Sequence, residues 1–154
     1  MGYYVDLTDT NACIPQDKLQ EAYEIMCELN AHNSMKGGGR WPTDKSDANG
    51  PHEDVWFSWM PWNYPDVYST AKEILNALGF DAYEEQDGSL SFGTYNEKCG
   101  DEEKFLLALG PVLSGLRGQC PFFEWTGEDG DRWKYEYDNG EWRAYVGYTE
   151  WKQV

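Results

Sequence analysis

Carboxylates dominate the chemistry open to this chain. Asp and Glu number 28 against 12 Lys and Arg, a formal net charge of -16. Toward the C-terminal end stand Glu124, Glu128, Asp129, Asp131, Glu136, Asp138 and Glu141. A second group is Asp81, Glu84, Glu85 and Asp87, and a third is Asp101, Glu102 and Glu103. Acids spaced along strands and turns can imitate the regular charges of a phosphate backbone, and so satisfy the Lys and Arg side chains of a protein built to hold DNA or RNA. The competing reading is an ordinary solvated sheet face, and Arg132, Lys134 and Arg143 interleave with the first group. Direct binding to nucleic acid needs a basic footprint, which this composition excludes.

Aromatic residues offer a second chemistry. The chain holds 8 Trp, 11 Tyr and 6 Phe, more than a core of this size easily absorbs. In the run VWFSWMPWNYP, Trp56, Trp59 and Trp62 fall within one strand and its exit. Grouped at a pocket mouth they would stack on a nucleotide or a sugar; packed on opposite faces they would serve the core.

Catalytic patterns are weak. The two histidines, His32 and His52, stand apart from any G-x-S-x-G motif. Gly37 to Arg40 reads GGGR and lacks the P-loop Lys and Ser/Thr. Asp44, Asp47, Asn49 and Gly50 do not have the spacing of a calcium loop. Cys13, Cys27, Cys99 and Cys120 form no CxxC, so free thiols in a reducing cytoplasm are expected and no zinc site is. The expectation is a non-enzymatic protein without metal or cofactor. No apolar run follows the first residues and no stretch has the length of a membrane span, which sets a cytoplasmic location without membrane contact as the expectation.

These groups need elements to hold them. A strand is expected over 3–7, then a helix carrying Leu19, Ala22, Tyr23, Met26 and Leu29 at helical spacing. Residues 34–54 are rich in Gly, Pro, Ser and Asp without periodicity, and read as a flexible loop. A short aromatic strand starts at Val55. Pro65 opens a second helix with Val67, Ala71, Ile74, Leu75 and Leu78 as its stripe and Gly79 as its stop. Strands over 80–86 and 89–95 flank Asp87-Gly88, a two-residue hairpin signal. A third helix begins among Asp101, Glu102 and Glu103, acids that suit the positive end of a helix dipole, and breaks at Gly110-Pro111. The last third reads as a β-meander over 121–126, 131–138 and 141–148. Its Asn139-Gly140 turn sets Tyr137 against Trp142, Glu136 against Arg143, Tyr135 against Ala144 and Trp133 against Val146.

The fold class is therefore α+β in a single domain over 1–154: an antiparallel sheet with helices packed on one face. Over 55–126 the order β-α-β-β-α-β is that of a ferredoxin-like core, extended by the meander. The segments VWFSWMPWNYPDVYST and FFEWTGEDGDRWKYEYDNG resemble those of small, acidic, uncharacterised accessory proteins of bacteriophages and plasmids with a ferredoxin-like domain. That resemblance implies an inhibitor of a host nucleic-acid-handling defence protein, of the anti-CRISPR or anti-restriction kind. The partner expected is a host protein with a basic nucleic-acid-binding surface. The alternative expectation is a small-ligand binder using the Trp cluster.

Overall fold

A computed structural model describes residues 2–39, 50–148 and 153. In chain order the strands are β1 (Tyr4–Thr10), β2 (Cys13–Ile14), β3 (Gly38–Gly39), β4 (Val55–Trp56), β5 (Tyr83–Glu84), β6 (Leu90–Ser91), β7 (Asn96–Lys98), β8 (Phe122–Gly127), β9 (Arg132–Asp138) and β10 (Glu141–Gly147). The α-helices are α1 (Leu19–Leu29), α2 (Tyr64–Val67), α3 (Ala71–Leu78) and α4 (Glu102–Ala108). Five strands form one antiparallel sheet in the order β10-β9-β8-β1-β7; β2, β6 and β5 make a smaller sheet, and β3 pairs with β4.

The mixed α+β class and the antiparallel sheet are as expected. One face of the large sheet is buried, with Val5, Phe123 and Trp125 in the core, while its other face carries Asp6, Arg132 and Arg143 in solvent. Against the buried face lie Phe80, Phe92 and Tyr95, edge-on or tilted to Trp125 and Phe123 at ring distances of 4.9 to 6.3 Å. Edge-on contacts of this kind suit the quadrupoles of the rings. The C-terminal end of α4 closes the far side, where the Trp142 indole N–H donates to the Leu107 carbonyl at 2.8 Å. A second aromatic cluster, Phe57, Tyr64 and Phe105, ties α2 and α4 together.

The ferredoxin-like order expected over 55–126 is not the order of the sheet. β4 is two residues long and pairs with Gly38 and Gly39, outside the large sheet. The place beside β8 is taken by β1, more than a hundred residues away in sequence. The reason is visible in the aromatic run: Phe57, Met60 and Tyr64 are buried, a spacing of three and four that belongs to a turning chain and not to a strand. The pairing of β3 with β4 also places structure inside the expected 34–54 loop; residues 40–49 of that loop lie outside the described residues.

Two further expectations are corrected. The second helix is two helices. Thr70 caps α3 by accepting from the Glu73 N–H at 3.2 Å, and the Glu73 carboxylate accepts from the N–H of Ser69, just before the cap, at 3.1 Å, so that a new helix starts here. Val67 is accordingly exposed and outside the apolar stripe. The 80–95 hairpin turns through three residues, not two: Glu85 N–H donates to the Ser89 carbonyl and Tyr83 pairs with Ser91. Gly88 alone takes positive φ there, 85°, whereas a two-residue primed turn of the Asp-Gly kind needs it at both positions.

The meander follows the expected register. Tyr137 faces Trp142, Glu136 faces Arg143, Tyr135 faces Ala144 and Trp133 faces Val146. Asn139 and Gly140 both have positive φ, 53° and 83°, as a type I′ turn requires.

Candidate functional site

A broad concavity arises where the sheet splits. From Tyr4 to Asp6, β1 runs beside β7, and Leu7 N–H continues the ladder to the Tyr95 carbonyl at 2.9 Å. Beyond Leu7 the two chains part. On one side the β1–β8 register shifts between Leu7 and Asp9, a bulge that bends the strand. On the other, Gly93 takes φ 61° and lies so close to the Asp81 carbonyl that a β-carbon would sit 1.9 Å from it. The gap is a groove of ≈ 1350 Å³ between the second half of β1, the β5–β6 hairpin and the 114–119 segment.

Its charges come from separate parts of the chain. Asp9 enters from β1, while Glu85 and Asp87 enter from the hairpin; among the described residues Arg117 is the single Lys or Arg along the lining. The Ser91 hydroxyl donates to Glu85 at 2.8 Å, and the Ser89 hydroxyl donates to Asp87 at 2.6 Å. Hydrogen bonds from the Ser89 hydroxyl and then its backbone N–H hold the Asp87 carboxyl below the usual carboxylate range, so it stays ionised at neutral pH. Burial first, and then the charges of Asp87 and Glu85, push the Cys13 thiol up. The arrangement presents fixed negative charge beside Tyr83, Phe92 and Phe122, a lining suited to cationic groups with apolar stems.

The other predicted acids fall elsewhere. On the solvent face of the meander, Glu124 meets Arg132 at 3.5 Å and Asp138 meets Arg143 at 3.5 Å. Glu136 faces Arg143 across the strands, and Glu141 sits at the start of β10. Paired in this way, that face is a weaker anion surface than its acid count implies. In the β8–β9 turn, Glu128 accepts from the Tyr4 N–H at 3.1 Å and Asp129 from the Tyr3 hydroxyl and the Asp131 N–H. The bond to Asp129 raises the Tyr3 phenol to about 12 and holds Asp129 below its ordinary range. Asp81 is exposed, and Glu84 lines a separate small cavity of ≈ 190 Å³ with Leu19, Tyr23 and Lys72.

Trp56, Trp59 and Trp62 are not brought together as a stacked platform: none of the ring contacts among the described residues joins one of them to another. Trp56 is half-buried over Gly38, Trp59 is 50% exposed, and Trp62 uses its carbonyl to accept from the Asn30 amide at 2.9 Å. Two acids of the third group have a structural task that the sequence reading missed. Asp101 and Glu102 are each 3% exposed. Asp101 accepts from the N–H groups of Gly37 and Ser58 at 2.9 and 2.8 Å, and Glu102 from that of Gly100 at 2.8 Å.

Asp9 and Arg117 are the groove residues that sequence reasoning passed over. Nothing local marks either: Asp9 lies beyond the strand expected over 3–7 and beside the bulge that breaks the alternation of β1. Among the described residues no group of His, Cys, Asp or Glu is placed to hold a metal ion, and no helix is long and apolar enough to cross a membrane. No family model, no curated protein and no solved structure matches this chain.

Proposed function

We propose that this chain is a non-enzymatic binding protein whose acidic groove receives a basic segment of another protein, a host nucleic-acid-handling defence protein being the class that fits. The observation that supports this reading is the convergence of Asp9, Glu85 and Asp87 on one groove in which Arg117 is the single cation along the lining among the described residues. A surface shaped to grip phosphates carries Lys and Arg on flexible stems, and a concave acidic site competes for the same side chains. The net charge of -16 adds long-range attraction to such a partner. Resemblance to phage accessory proteins supplies the inhibitory context, in which the groove rather than the paired meander face acts as the decoy.

The test is a tagged pull-down from bacterial lysate at low and high salt, with mass spectrometry of what is retained, followed by competition with nucleic acid. The expected result is a nucleic-acid-binding protein released by salt and displaced by its own DNA or RNA. Reversing Asp9, Glu85 and Asp87 to Lys together is expected to abolish capture, and reversing Glu136, Asp138 and Glu141 to leave most of it. Binding that survives high salt, or that follows the meander set instead, would refute the groove reading.

A further inference from the structure

We infer that β10 is the seam of a symmetric dimer, in which the five-stranded sheet pairs edge to edge with that of a second copy of this chain. β10 ends the sheet order, and its only strand partner among the described residues is β9. Exposed strand edges are ordinarily blunted by shortness, proline, lysine or a bulge. The opposite edge, β7, follows that rule with three residues that include Glu97 and Lys98. β10 does not: it runs seven residues, EWRAYVG, with unbroken register against β9.

The hairpin geometry fixes which backbone groups the edge offers. A two-residue type I′ turn makes its flanking residues a doubly hydrogen-bonded pair; here these are Asp138 and Glu141. Alternation along the strand then turns Glu141, Arg143, Tyr145 and Gly147 toward β9. The N–H and C=O groups of Trp142, Ala144 and Val146 point to the open side. A two-fold axis perpendicular to the sheet at Ala144 satisfies all of them: Ala144 pairs with Ala144 of the second copy, and Trp142 with its Val146.

Side-chain chemistry favours the same register. Val146 is 81% exposed and would be covered by the Trp142 side of the other copy. On the solvent face, Arg143 would lie beside Tyr145 of the second copy, which is 44% exposed and already carries the Lys134 ammonium over its ring at 5.0 Å. Glu141 would stand opposite Gly147. No like charges are opposed, and the strand contributes one acid and one base in a chain of net charge -16. Shifting the centre to Arg143 would set two guanidinium groups against each other. The seam lies two strands away from the groove strand β1's neighbour β8, so both grooves stay open.

Sedimentation equilibrium of the full chain across protein concentration and salt tests this directly. A monomer–dimer equilibrium is expected, strengthened by salt because screening relieves the repulsion between two acidic copies. That sign is opposite to the salt dependence of partner capture, so the two ideas fail separately. Ala144→Pro removes the N–H at the axis while sparing the β9 ladder, and proline is tolerated on a strand edge facing solvent; it is expected to leave a folded monomer. Val146→Lys, at an exposed position, is the second variant, expected to weaken the dimer at least tenfold with an unchanged near-ultraviolet spectrum. A monomer at every concentration and salt, or a dimer indifferent to both substitutions, would overturn the inference.

Discussion

The carboxylate of Asp101 lies 2.8 Å from the ammonium group of Lys104, one turn along the same helix, and together they fasten three segments distant in sequence. Asp101 receives the N–H groups of Gly37 and Ser58, while Lys104 also donates to the Met35 carbonyl. Removing the carboxylate leaves two backbone N–H groups without their acceptor. Asp101→Ala is therefore expected to destabilise the protein by about 2–4 kcal/mol. Lys104→Met is expected to cost less, since the lysine side chain is 39% exposed and its share of the pair is screened. Urea denaturation of the two variants gives the order; an equal or reversed loss would contradict this account.

Tyr64 carries the other cross-link between segments. Its hydroxyl, fully buried, donates to the Met26 carbonyl in the last turn of α1 at 2.5 Å, where helix carbonyls run out of intrahelical partners. Tyr64→Phe keeps the ring against Phe57 and Phe105 and leaves that carbonyl unsatisfied. A loss of about 1–2 kcal/mol is expected by thermal or urea denaturation, with the far-ultraviolet spectrum unchanged.

Gly93 tests the split that opens the groove. A β-carbon there would fall 1.9 Å from the Asp81 carbonyl, whereas one at Gly130, also at positive φ, meets nothing within 4 Å. Gly130→Ala should cost only the ~1–2 kcal/mol of left-handed backbone. Gly93→Ala is expected to cost clearly more, because the backbone on both sides must also move. Comparable midpoints for the two variants would show that the groove walls yield easily.

Cys99 gives a pH-dependent readout. Partial desolvation of the sulfur, then the carboxylate of Glu102, raises its thiol to about 11. The thiolate is the reactive form, so alkylation of this exposed residue should be slow at neutral pH and climb toward pH 11. Because the folded value is raised, the protonated thiol adds stability at low pH, and that contribution is lost as pH rises through about 11. Glu102→Gln is expected to speed alkylation at neutral pH, followed by mass spectrometry of the modified peptide. An ordinary thiol profile in the parent chain would rule out this electrostatic account.

The features legible from the chain alone are local. Asn139-Gly140 sets the β9–β10 register because a type I′ turn and the alternation around it depend on neighbours within a few residues. The helical spacing from Leu19 to Leu29 places α1, and Gly79 in the left-handed conformation ends α3, for the same reason. The composition determined the strong negative charge. Where that charge gathers depends on how distant segments pack. Asp9 shares a groove with Glu85 and Asp87 because β2, just after β1, pairs with β6 of their hairpin, a pairing across more than seventy residues that no periodicity records. Packing also separates acids alike in sequence: Asp101 and Glu102 are buried as acceptors for backbone N–H groups, while Glu103 beside them stays exposed. A carboxylate's role follows from whether solvent or unpaired N–H groups surround it, and those surroundings are assembled only when distant segments pack.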